Sequence, residues 1–174
     1  VDSVTNMSGM FQSCSKLTSV PELDFSNVTS MGNMFYNCTE LKELPNINCK
    51  KMTSLNSWTA STNRIWKIGI IDCDSINNAQ GLISNTNPYP SITDIGGFRN
   101  LGMKSSISST NSNYFLYNCH NLTRQSLLNV FNLLYDRASA GYSVLTLKLH
   151  PTQMEKLSDD DKLIAINKGW SLTV

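Results

Sequence analysis

The sequence predicts an α/β solenoid: repeats of about 24 residues, each a short helical turn followed by a strand, stacked into a parallel sheet and closed by a C-terminal helix–strand–helix–strand cap. Three observations lead there. The window from Val28 to Lys51, moved back onto Val4 to Asn27, keeps Val4/Val28, Thr5/Thr29, Met7/Met31, Met10/Met34, Phe11/Phe35, Cys14/Cys38, Leu17/Leu41 and Pro21/Pro45. Average composition would give about one or two such identities by chance, and self-similarity at a period between 20 and 50 residues is the sequence signature of stacked repeats. Within a unit the apolar spacing changes from helical to strand-like, and from about Tyr114 the chain reads as two longer helix–strand pairs.

In the second unit Val28, Met31, Met34, Phe35 and Cys38 fall at helical spacing, with Asn27 or Thr29 placed to cap the start. Ser13, Asn37, Ser61 and Asn85 precede the cysteine slots, where a left-handed turn residue would end the helical segment. Leu41 to Ile47 then reads as a strand with Leu and Ile inward, and Pro45 fits an edge or an irregular ladder position. The third unit keeps Met52, Leu55, Trp58, Ile65, Ile68 and Ile71 in the apolar slots, with Trp58 in the core. A fourth starts at Ile76 and keeps Ala79, Leu82, Ile83, Ile92 and Ile95. After Gly96-Gly97 the register drifts, and Lys104 to Asn113 is a polar Ser/Asn-rich stretch.

Residues 1–100 are therefore read as four repeats, 101–113 as a polar loop or insertion, and 114–174 as capping repeats of the same stack. In the last part Thr123 caps an amphipathic helix carrying Leu127, Leu128, Phe131, Leu134 and Tyr135, and Val144 to Leu149 alternates like a strand. Ser158 to Asp161 is a capping-box pattern opening a helix with Leu163, Ile164 and Ile166; Gly169 ends it, and Trp170 to Val174 is the last strand. The carboxylates Asp159, Asp160 and Asp161 are read as partners of that helix's dipole, not as a metal or catalytic cluster.

Composition is that of a folded chain: 40% hydrophobic, only 16% charged, net charge +1. No basic stripe marks a nucleic-acid partner, and no apolar run approaches the ~20 residues that span a membrane. Val1 opens directly on a repeat, which predicts that the sequence begins inside a longer protein. Of the five cysteines, Cys14/Cys38 and Cys49/Cys73 lie one unit apart. Neighbouring strands sit ~4.8 Å apart, within disulfide reach, but stacked Cβ vectors run parallel, so the cysteines are read as small buried thiols. No cysteine spacing suits a zinc site, and no cofactor or metal is expected.

The string V-T-x-M-x-x-M-F-x-x-C-x-x-L-x-x-L/V, present as Val4 to Val20 and Val28 to Leu44, resembles the leucine-rich repeats of BspA-type bacterial surface proteins. The tail from Asn121 through Leu145 to Val174 is similar to the closing unit attached to such repeats in surface and phage-associated proteins. The resemblance implies a leucine-rich-repeat solenoid displayed outside the cell or on a virion, with adhesive or recognition roles and no fixed functional residues. In the third unit Trp58-Thr59 replaces Met-Phe and Thr62 replaces the cysteine.

No catalytic constellation is legible. The only histidines, His120 and His150, lack a motif, and Gly96-Gly97 is a turn signal. Sequons at Asn6, Asn27, Asn37 and Asn121 coincide with repeat turns. The outward strand positions carry more. Lys16, Glu40 and Arg64 share one slot with alternating sign, Glu43 and Lys67 share another, and such rows can pair across strands to fix register. Between them stand Thr18, Lys42, Trp66 and Pro90, and an outward Trp66 is an anchor of the kind binding sites use. The candidate ligand-binding residues are Trp66, Lys42, Glu43, Lys67 and Arg64. The expected function is noncatalytic recognition of a protein or glycan at a bacterial surface; the alternative is a structural spacer or virion component without its own ligand.

Overall fold

The computed structural model describes residues 3–55, 58–78, 83, 91–107 and 116–174. Among these residues the strands form two small parallel sheets. Strands β1 (Glu43–Leu44), β2 (Lys67–Asp72) and β3 (Asp94–Arg99) make the first, in that order; β4 (Leu145–Lys148) and β5 (Trp170–Thr173) make the second. Among the described residues the helices are α1 (Arg124–Leu133), α2 (Pro151–Met154) and α3 (Asp159–Ile166). This corrects the expected fold class. A leucine-rich-repeat solenoid of helix-turn/strand units would carry one sheet through the chain into its cap, whereas the sheet here stops at β3 and the closing strands form a sheet of their own.

The helical segments expected in the repeat units are absent among the described residues, and the backbone hydrogen bonds show why. In the second unit Met34, Tyr36 and Cys38 donate back to Met31, Asn33 and Phe35, which closes successive turns. The intervening amides face sideways: Phe35 N–H donates to Trp58 C=O at 2.8 Å and Asn37 N–H to Ala60 C=O at 3.0 Å. An amide committed to a neighbouring segment cannot also close an α-helical bond, so apolar residues at helical spacing settle into turns instead. Ser13, Asn37 and Ser61 all adopt φ near +60°, the left-handed turn predicted there; Asn85 lies outside the described residues.

Strand length follows from proline. Pro45 has no amide to donate, so β1 ends at Leu44 and Ile47 reaches Ile71 only by an isolated bridge. The pairing of Leu44 with Ile68 and of Ile68 with Ile95 puts Gly69 and Gly96 in the proline slot of the next strands, and β2 and β3 each run longer, to Asp72 and Arg99. The step between strands also changes. Glu43 pairs with Lys67, one repeat on, but Lys67 pairs with Asp94, a longer step than the repeat. The step has therefore already lengthened by Asp94, ahead of Gly96-Gly97, after which the sequence suggests the drift begins. Ala79, Leu82, Pro90 and the polar stretch from residue 108 lie outside the described residues.

Helix α1 takes the place of the next strand. The edge of β3 finds its partners in side chains: Ile95 N–H donates to Ser126 Oγ at 3.1 Å and Asn129 Nδ2 donates to Ile95 C=O at 3.3 Å. A covered edge is closed to further strand addition. Thr123 caps α1 by accepting from Ser126 N–H at 3.1 Å. At the other end the Lys168 ammonium donates to the carbonyls of Phe131 and Leu134, satisfying acceptors that a helix terminus leaves open. Arg124 joins the first turn of α1 to α3 through a bidentate pair with Asp161, which also closes the Ser158 capping box. The structural reading of the Asp159–Asp161 run therefore fits its contacts.

One hydrophobic core runs from Met7 to Trp170 and includes Leu41, Leu44, Ile47, Trp58, Ile68 and Ile95. Four cysteines are buried, but Cys14 is exposed, a correction to the expectation of uniformly buried thiols. In α3 it is Asp161 and Ala165 that face inward, while Leu163 and Ile166 are exposed. No described helix is long and apolar enough to cross a membrane.

Candidate functional site

The outward residues of the first sheet lie in rows set by backbone pairing. Trp66 N–H donates to Lys42 C=O at 3.0 Å, and Trp66 C=O accepts from Thr93 and Asp94, so both edges of the Trp66 peptide are held. Trp66 stays 39% exposed, as expected for an outward slot. Thr93 stands beside Trp66 on the β3 side, because of the longer step to that strand; Pro90, expected in that row, lies outside the described residues. The structure brings Lys42, Glu43, Trp66 and Lys67 together on two adjacent segments, all of them exposed. Arg64 sits just ahead of Trp66 in the chain and is taken up by an ion pair with Glu40.

The second charge row behaves differently. Glu43 and Lys67 are register partners, yet the Lys67 ammonium lies over the Trp66 ring, 5.9 Å from its centroid. Among the described residues Glu43 has no ion pair or side-chain hydrogen bond. A carboxylate and an ammonium are thus left with unused hydrogen-bonding capacity beside an exposed indole.

They also border a cleft of about 320 Å³ whose wall includes Ser19, Glu22, Pro45, Asn46 and Gly69. A second hollow of about 400 Å³ shares Glu22 and Asn46 and extends toward Asp24 and Asn48. Asn46 is fixed in place: its Oδ1 accepts from Ile70 N–H at 2.8 Å, and its amide faces the Glu22 carboxylate at 3.4 Å. Gly69 is obligatory at this wall, since a Cβ there would stand 2.6 Å from the backbone of Pro45 and Asn46. Sequence reasoning missed Glu22, Asn46 and Gly69. The available signal was the change from Pro21 and Pro45 to Gly69 in one slot, where the missing Cβ lets the Pro45 and Asn46 backbone close in.

The two histidines are not isolated. The His120 and His150 rings are 5.4 Å apart between centroids, and His150 is the same distance from Tyr117, under which Lys148 sits at 5.2 Å. His150 serves locally, accepting from Thr152 N–H to cap α2. No group of three His, Cys, Asp or Glu side chains placed to hold a metal occurs among the described residues. Burial pushes the Cys49 and Cys119 thiols up to about 12, and Cys73 also well above the usual thiol range, so none of these three supplies a thiolate near neutral pH.

Residues 1–70 match a family model. It is described as "Mycoplasma protein of unknown function, DUF285". The matched segment is less than half the chain, and it contains all five candidate residues together with Glu22, Asn46 and Gly69. It places the likeness in this bacterial family rather than specifically among BspA-type repeats. Neither the curated proteins nor the solved structures gave a match.

Proposed function

We propose that this chain is a noncatalytic recognition module of a bacterial surface protein, binding its ligand on the outward face of the first sheet. The observation that carries the reading is an exposed indole on a peptide held from both sides, next to Lys67, which together with its register partner Glu43 keeps unspent hydrogen-bonding capacity and lines a cleft. A rigid aromatic anchor beside polar groups is the arrangement in which a few residues carry most of a binding energy. Display outside the cell is supported by the likeness of the Val4 to Leu44 string to BspA-type surface repeats and accords with the bacterial family match.

The test is a binding screen of the folded chain against immobilised extracellular proteins and glycans, with Trp66→Ala in parallel. Saturable binding that the substitution weakens at least tenfold supports the reading. Binding indifferent to Trp66 places the site elsewhere, and a folded chain that binds nothing favours a spacer or virion component.

A further inference from the structure

We propose that the cleft between Glu22 and Lys67 is a carbohydrate site, taking a neutral, hydroxyl-rich sugar. This rests on the reading of the strand face as the ligand surface and names the class of ligand.

Size is the first argument. Small-ligand pockets begin at about 300 Å³, whereas a standard protein–protein interface needs roughly 800 Å² of surface per partner. The cleft of about 320 Å³ is on the scale of the former, and the adjoining hollow past Asn46 leaves room for a chain that continues beyond one ring.

Charge narrows the choice. An anion entering the cleft meets the Glu22 and Glu43 carboxylates; a simple cation meets the Lys67 ammonium. A neutral polyol suits both. Hydroxyl groups donate to the carboxylates and accept from the Lys67 ammonium, so a single neutral ligand uses every group present. The Glu43 carboxylate is available because its register partner Lys67 rests over the indole instead of closing an ion pair. Asn46 is preorganised by its bond from Ile70 N–H, so its orientation is settled before a ligand arrives.

The apolar partner is the indole next to the cleft. Trp66 is not part of the cleft's wall, but the ammonium of Lys67, which is, lies 5.9 Å from its ring centroid, so an exposed flat π surface stands alongside for the C–H face of a pyranose ring. Gly69 contributes by what it lacks: without a Cβ it lets the Pro45 and Asn46 backbone close in on it, which sets that wall of the cleft.

The experiment uses an array of immobilised neutral and sialylated oligosaccharides, followed by calorimetric titration of the best neutral one in solution. The parent chain, Glu43→Gln and Trp66→Ala are compared, and unfolding midpoints confirm that each is folded. The expected result is binding to neutral sugars, at least tenfold weaker in both variants, with unchanged midpoints. A chain that captures extracellular proteins but no neutral sugar overturns the carbohydrate assignment and leaves the recognition reading standing. Preference for sialylated sugars, or neutral-sugar binding indifferent to Glu43→Gln, also overturns it. A folded chain that binds neither protein nor sugar overturns both.

Discussion

Replacing Gly69 by alanine isolates the steric demand on which the sheet and the cleft both depend. Gly69 does not occupy the left-handed region, so alanine meets no backbone objection there. The added Cβ would lie 2.6 Å from the Pro45 carbonyl carbon and the Asn46 nitrogen, well inside ordinary contact, which begins at 3.4 Å, and the atoms it strikes are main chain. They are held, moreover, by Ile47 N–H donating to Ile70 C=O at 2.7 Å and Ile70 N–H donating to Asn46 Oδ1 at 2.8 Å. Overpacking of this kind costs about 1–3 kcal/mol, against about 0.4–1 kcal/mol gained from a stiffer unfolded chain. The net expectation is a loss of about 1–2 kcal/mol, or roughly 2–8 °C in the unfolding midpoint for a chain of this size. Gly32→Ala is the paired control. Its Cβ would meet nothing nearer than Ser8 Oγ at 4.0 Å, so only the gain remains and the midpoint should rise. Equilibrium urea and thermal unfolding followed by circular dichroism measure both. A Gly69→Ala chain as stable as the parent would refute the argument that glycine is required beside Pro45.

Ser126→Ala removes the acceptor for the buried Ile95 amide and the hydroxyl bonded to Thr93 C=O; a loss of about 1–3 kcal/mol, with faster hydrogen exchange at Ile95, is expected. The Arg124 guanidinium and the Ser158 amide hold Asp161 below the usual carboxylate range. A depressed folded-state value contributes stability that is full above about pH 5 and is lost as pH falls through about 4 toward that lower value. Arg124→Gln should therefore flatten the acid limb of stability against pH, and acid titration of the unfolding midpoint tests it. Thiol labelling of the folded chain should modify Cys14 rapidly and leave Cys38, Cys49, Cys73 and Cys119 protected until denaturant is added. Peptide mapping of the labelled chain identifies the site.

What the sequence made legible was chiefly local. Leu41, Leu44 and Ile47 are buried as their spacing predicts, Trp58 is in the core, and the Thr123 and Ser158 caps form. What it hid was non-local. Whether Met31, Met34 and Phe35 sit on a helix or on turns depends on whether alternate amides bond within the segment or to the next one, and apolar spacing is the same in both cases. Strand length turned on Pro45 against Gly69, and the row beside Trp66 on the longer step from Lys67 to Asp94. The burial of Arg137 gave no sequence signal either. Its guanidinium donates to the carbonyls of Ser143 and Gly102 and lies 5.2 Å over the Tyr142 ring, partners brought together only by the folded chain. In the candidate site the exposed tryptophan was readable, while the cleft was not, because its wall is made of backbone and of residues one unit away.

The central claim, that ligand is bound at Trp66, has a direct optical test. Of the three tryptophans, Trp58 and Trp170 are buried and Trp66 alone is exposed. Acrylamide should therefore quench one emitting class in the free chain. Saturation with the partner recovered from the binding screen should remove that accessible class, and Trp66→Ala should lack it from the start. A quenchable Trp66 that stays fully accessible while the partner is demonstrably bound would contradict the account.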